Sequence, residues 1–120
     1  MANIVTTNGL NNLIKQALGL AGGLEQLYFA VGTGADPAPA LGSTAMVNAL
    51  TPRVAATLSA SGGVGTLEGF FTNSQGNGTL TEWAIWSDLT AGTLLIYGTF
   101  APTITKTSSQ TLTVTTTETI

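Results

Sequence analysis

Residues 80–100 read Leu80-Thr81-Glu82-Trp83-Ala84-Ile85-Trp86-Ser87-Asp88-Leu89-Thr90-Ala91-Gly92-Thr93-Leu94-Leu95-Ile96-Tyr97-Gly98-Thr99-Phe100. Two runs rich in aromatic and β-branched residues flank a turn made of Asp88, Thr90, Ala91 and Gly92. This is the pattern of a β-hairpin with strands at 80–87 and 93–100. Successive side chains of a strand point to opposite faces, so Trp83 and Ile85 share one face and Ala84 and Trp86 the other. Pro102 is expected to break the second run, since proline cannot donate to a ladder.

The same period of two extends outward. On the C-terminal side, 110–120 alternates, with Leu112, Val114 and Ile120 sharing a face with Thr116 and Glu118. On the N-terminal side, 73–78 is rich in turn residues. Before it, 66–72 carries Leu67, Gly69 and Phe71 on one face and answers a strand at 53–60 across a loop at 61–65. In that loop Gly62-Gly63 can take positive φ. Ser43-Thr44 can cap a short helical turn over 45–50 that Pro52 closes. Residues 26–31 form a short apolar run bounded by Gly32. Leu10, Leu13, Ile14, Ala17 and Leu18 recur at helical spacing, which predicts an α-helix over 7–18, capped by Thr7 or Asn8 and ended by Gly19, Gly22 and Gly23. The expectation is a mainly β protein: an antiparallel β-sandwich of about six strands, at the 8–12-residue spacing of sandwiches and barrels, with one N-terminal α-helix. Residues 1–120 read as a single domain, with the sandwich over 26–120.

Composition narrows the function classes. Charged residues are 8% of the chain, against about 25% in an average soluble protein. Threonine takes their place, at 22 of 120 residues. Thr is uncharged and β-branched, and suits strands whose outer face is covered by neighbours. The three bases, Lys15, Arg53 and Lys106, are far apart in sequence and the net charge is −3. Phosphate neutralisation needs several bases in one patch, so no nucleic-acid partner is expected. No apolar run is long enough to span a bilayer, and Met1-Ala2-Asn3 lacks a signal-peptide start, so no membrane partner is expected.

Histidine and cysteine are absent, which removes the commonest general base and the commonest soft metal ligands. Gly32-Thr33-Gly34 lacks the Gly-Lys-Ser/Thr ending of a phosphate loop, and Pro37 stands where a dinucleotide fingerprint needs its third glycine. It reads as a turn. The carboxylates are Glu25, Asp36, Glu68, Glu82, Asp88 and Glu118. Glu68 and Glu82 would approach only if their strands pair. No Gly-x-Ser-x-Gly elbow is present. No catalytic residue, cofactor site or metal site is expected, and the chain reads as no enzyme.

The residues singled out are interface candidates. Trp83 and Trp86 face opposite sides, so one fills the core and the other meets a partner or a sugar. Arg53, the sole arginine, is expected to pair with Glu82 and fix a register or an inter-subunit contact. Leu112 and Val114 lie on the closing strand, the expected open edge.

The order of these motifs resembles small bacteriophage virion proteins of the tail, baseplate and fibre type, and loosely the N-terminal domain of phage tail-collar fibre proteins. The resembling residues are the helix over 10–18, then Phe29-Ala30-Val31-Gly32-Thr33-Gly34 with Pro37 and Pro39, then Ala49-Leu50-Thr51-Pro52-Arg53. Leu80-Thr81-Glu82-Trp83-Ala84-Ile85-Trp86, Gly92-Thr93-Leu94-Leu95 and Thr105-Lys106-Thr107 follow. They span nearly the whole chain. In that family an acidic residue precedes the arginine by a few positions, and here Asn48 stands near that place. The resemblance implies a non-catalytic structural protein that forms a ring or trimer with itself. It implies contacts with other virion proteins and residence in the virion after assembly in the host cytoplasm. Alternatives are a capsid decoration (cement) protein and a module that binds a host glycan through Trp83 or Trp86.

Overall fold

The computed structural model describes residues 3–7, 9, 26–35, 39–40, 42–61 and 64–119. Seven strands form one sheet: β1 (Asn3–Val5), β2 (Tyr28–Gly32), β3 (Val54–Ser61), β4 (Val64–Phe71), β5 (Gly78–Trp86), β6 (Leu94–Lys106) and β7 (Leu112–Thr119). Their spatial order is β1-β6-β5-β2-β3-β4-β7, and every pairing is antiparallel. Six of the strands lie where the alternation predicts them. The additional one, β1, has three residues, too few to show a period.

A flat sheet of seven strands would be roughly 29 Å wide at the usual strand spacing. Yet Phe29 of β2, Phe71 of β4, Trp83 of β5, Leu95 of β6 and Val114 of β7 belong to one buried cluster. The sheet therefore curls over its own core into a nearly barrel-shaped form. Continuity comes from β3. Its first two residues pair with β2, through Tyr28↔Ala55 and Phe29↔Val54, and 56–61 pair with β4. Trp83 and Ile85 face the main cluster, and Ala84 and Trp86 face a second one with Ala30, Leu94 and Tyr97 on the other side of the sheet.

Three local expectations are corrected. Pro102 does not end a strand: β6 runs on to Lys106. The ladder to β5 skips here, from Leu80↔Ile104 to Glu82↔Thr99, so the missing N–H falls where no bond is made. The skip also puts Leu80 and Trp83, three apart, in one cluster. Residues 45–50 form no helical turn. They run beside β2, with the Leu50 N–H on the Val31 carbonyl at 2.9 Å and the Thr33 N–H on the Asn48 carbonyl at 3.0 Å. The predicted helix over 7–18 lies, apart from Thr7 and Gly9, outside the described residues, as do Gly62 and Gly63 of the hairpin loop and Ile120. Just before it, buried Thr6 accepts the Gly9 N–H on its hydroxyl at 3.1 Å, the i to i+3 spacing of an N-cap, one residue earlier than expected.

Candidate interaction surface

Glu82 is wholly buried. Its strand places it opposite Gly32 of β2 and Thr99 of β6. One carboxylate oxygen accepts the Val47 N–H at 2.9 Å and the Tyr97 hydroxyl at 2.8 Å. The other accepts the Asn48 N–H at 2.7 Å. Such charge-assisted bonds are about twice as strong as neutral ones and satisfy a carboxylate withdrawn from water. The group thus pins loop 43–50 onto the sheet. Gly32 makes room for it: a Cβ there would lie 2.5 Å from the carboxylate and 2.6 Å from the Asn48 carbonyl. This space requirement, not phosphate binding, accounts for the first glycine of Gly32-Thr33-Gly34.

Arg53 does not pair with Glu82. Backbone amides and Tyr97 already fill that carboxylate, and Arg53 reaches the other way, across β2 to the turn after β5. Its Nη1 donates to the carbonyls of Asp88 at 2.8 Å and Ala91 at 2.6 Å. Its Cζ stands 3.9 Å from the centroid of the Trp86 ring, a cation–π contact worth about 1 kcal/mol. Partial burial lowers the guanidinium pKa from its ordinary value, and the Asp88 carboxylate acts in the opposite direction. The turn it holds has left-handed backbone at Ala91 and Gly92, with φ of 52° and 78°. There the Ser87 hydroxyl accepts the Thr93 N–H at 2.8 Å.

Lys106 is a second withdrawn ion, at 3% exposure. Its Nζ donates to the Thr72 carbonyl at 2.9 Å and to Asn77 Oδ1 at 2.7 Å, with the Asn73 carbonyl at 3.5 Å. It ties the turn before β5 to the end of β6.

Of the residues expected at an interface, the structure brings Arg53 and Trp86 into contact, and gathers Trp83, Val114 and Leu112 in the main core. Trp83 is fully buried, tilted 40° against Phe29 with ring centroids 5.7 Å apart. Trp86 is 7% exposed, and its Nε1 is buried without a hydrogen-bond acceptor among the described residues. Neither ring is an open stacking platform for a sugar. Val114 is buried in the main cluster and Leu112 packs against it, so both serve the core of this chain. Glu68 and Glu82 do not meet: β4 pairs with β3 and β7, and β5 with β2 and β6. Tyr97, Lys106 and the amides of 47 and 48 escaped the sequence reading. Only Lys106 left a signal there, as a lone base inside an apolar alternation.

What remains outside is nearly neutral. Ala55, Thr57 and Ser59 of β3, Glu68 and Phe70 of β4, and Thr113, Thr115 and Thr117 of β7 are exposed. Phe70 is 52% exposed and Leu89, in the turn under Arg53, 50%. Strand β7 ends the sheet order, so its outward edge is unpaired among the described strands. It carries neither Lys nor Pro, the residues that blunt an edge. Among the described residues, no three His, Cys, Asp or Glu groups come together, and no helix is long and apolar enough to cross a membrane.

No protein-family model, no curated protein and no solved structure matches the chain.

Proposed function

We propose that the chain is a non-catalytic structural protein of a bacteriophage virion, built by self-association into a tail, baseplate or fibre. The observation that carries this reading is where the ions are. Glu82 and Lys106 are folded inside and satisfied there, while among the described side chains the outer side of β3, β4 and β7 is left to Thr, Ala, Ser and Phe70 around one carboxylate. A free monomer keeps a charged surface for solubility, and a subunit covered by neighbours has less need of one. The open β7 edge adds a template for strand addition, which a closed assembly consumes. In the same reading the two halves of the curled sheet act as the layers of a sandwich. Ala30 and Ala84 have no exposure although they face away from the main core.

The test has two parts. The full chain, examined by sedimentation and native mass spectrometry, is expected to be an oligomer; a monomer at millimolar concentration overturns the reading. An antibody to the chain is expected to label purified phage particles at the tail, baseplate or fibre. Label spread over the whole capsid assigns the decoration role instead, and particles without label remove both.

A further inference from the structure

The turn before β5 ends in Asn77-Gly78, one of two Asn-Gly steps in the sequence, the other being Asn8-Gly9. Such a step is chemically labile. The backbone nitrogen of the glycine, unshielded by a side chain of its own, can attack the asparagine amide carbon, and asparagine is among the thermolabile residues. Here the fold demands both residues. Gly78 has a φ of 142°, a conformation that side chains rarely adopt. Asn77 must donate and accept at once: its Nδ2 donates to the Asn73 carbonyl at 3.0 Å, and its Oδ1 accepts Lys106 Nζ at 2.7 Å. An ionised aspartate would keep the second bond and lose the first.

The same bonds hold the reaction off. Ring closure needs the Asn77 amide to swing away from these partners toward the Gly78 nitrogen. The Asn73 carbonyl fixes one end of the amide and the ammonium fixes the other. Lys106 is itself buried and held by the Thr72 carbonyl at 2.9 Å. Gly78 and Lys106 are also registered partners in the ladder between β5 and β6, so the nucleophile and the clamp are anchored together. Asn77 is exposed, so water is at hand to complete the reaction once it starts.

We propose that Asn77-Gly78 is a self-modification site latched by Lys106, and that opening of this turn lets it convert irreversibly. In the open turn the Gly78 nitrogen gives up its proton and bonds to Asn77 Cγ. The Cγ–Nδ2 bond breaks, and Nδ2 leaves with that proton as ammonia, closing a succinimide. Water then adds to either ring carbonyl. One opening gives aspartate at 77. The other gives isoaspartate, in which the main chain runs through Cβ and Cγ and is longer by a methylene. That extra atom falls directly before the first registered pair of β5, Gly78↔Lys106. Both products lack the donor to the Asn73 carbonyl, so a chain that has stayed open is marked and cannot rebuild the latch.

The test is site-resolved peptide mapping of the full chain aged in mildly alkaline buffer, with ammonia lost and water gained read as a single added mass unit at residue 77. A reaction gated by opening follows the population of the open form, so the folded wild type is expected to convert Asn77 more slowly than the same chain in urea by about tenfold or more. Lys106→Met leaves the amide with the Asn73 carbonyl alone, and is expected to raise the rate at Asn77 in the folded state about tenfold, the worth of a hydrogen bond to a charged group. Asn8-Gly9 in the same molecules is expected to keep its wild-type rate. Gln75→Ala removes the bond from the Thr72 N–H to Gln75 Oε1 at 3.0 Å, which shapes the turn that presents the Thr72 carbonyl. It is expected to give a smaller rise, about twofold, and it carries the comparison if Lys106→Met does not fold. Equal rates in folded and unfolded wild type overturn the proposal. So does a folded Lys106→Met chain, or Gln75→Ala in its place, that converts Asn77 no faster than wild type. A rise shared equally by Asn8 and Asn77 overturns it too, because that is the mark of a looser fold and not of a lost latch.

Discussion

Strands β5 and β7 have nine and eight residues, and both are rich in β-branched or aromatic side chains. Their fates differ. In β5 every residue from 82 to 86 is buried, on both faces, including a carboxylate. In β7, Val114 and Thr116 are buried and Thr113, Thr115 and Thr117 are exposed. Position in the sheet explains the difference. β5 has β2 and β6 as neighbours, with the main core on one side and the Ala30–Tyr97 cluster on the other. β7 is terminal and buries one face. Alternation in a sequence thus reports that a strand exists, while the cover on its second face comes from partners distant along the chain.

That contrast can be broken from its strong end. Trp83→Ala removes the largest fully buried side chain, and is expected to cost about 4 kcal/mol. In a thermal melt this lowers the midpoint by roughly 15 °C; a loss below about 1 kcal/mol would show that β5 is not the rigid centre. Glu82→Gln comes next. The amide nitrogen it introduces must face an N–H or hydroxyl donor at Val47, Asn48 or Tyr97. A cost of about 3 kcal/mol is expected in urea denaturation, with faster hydrogen exchange at the amides of 47 and 48. Unchanged exchange there would mean that the loop is held by its contacts with β2 alone. Thr115→Val, on the outer face of β7, is expected to stay within about 0.5 kcal/mol in dilute solution. A cost above 1.5 kcal/mol would erase the distinction between the two strands.

The strands, the hairpin at 80–100 and the split of Trp83 from Trp86 were legible in the sequence, because period two and Gly-rich turns are local signals. The single curled sheet was not. It depends on β3 changing partner after Ala55, and no residue type marks that switch. The continuation of β6 past Pro102 was hidden for a related reason: a proline reads as a break unless the skipped ladder beside it is known. At the site, a single arginine and a strand glutamate invited pairing. What overrode it was the pair of free amides at 47 and 48, groups every residue carries and no sequence pattern announces. Arg53 and Trp86 did come together, although in a contact within one chain.

The narrow junction at β3 has a mechanical consequence. The β3–β4–β7 wing is laddered to the rest of the sheet through two residue pairs, backed by Phe29 lying so close to Gly69 that a Cβ there would stand 2.7 Å from the Phe29 Cβ. The other long pairings run through five or more registered residues. Tension applied to the wing therefore concentrates at Tyr28, Phe29, Val54 and Ala55. Under load the molecule would yield there first, swinging as two stiff plates on a short seam instead of unravelling strand by strand.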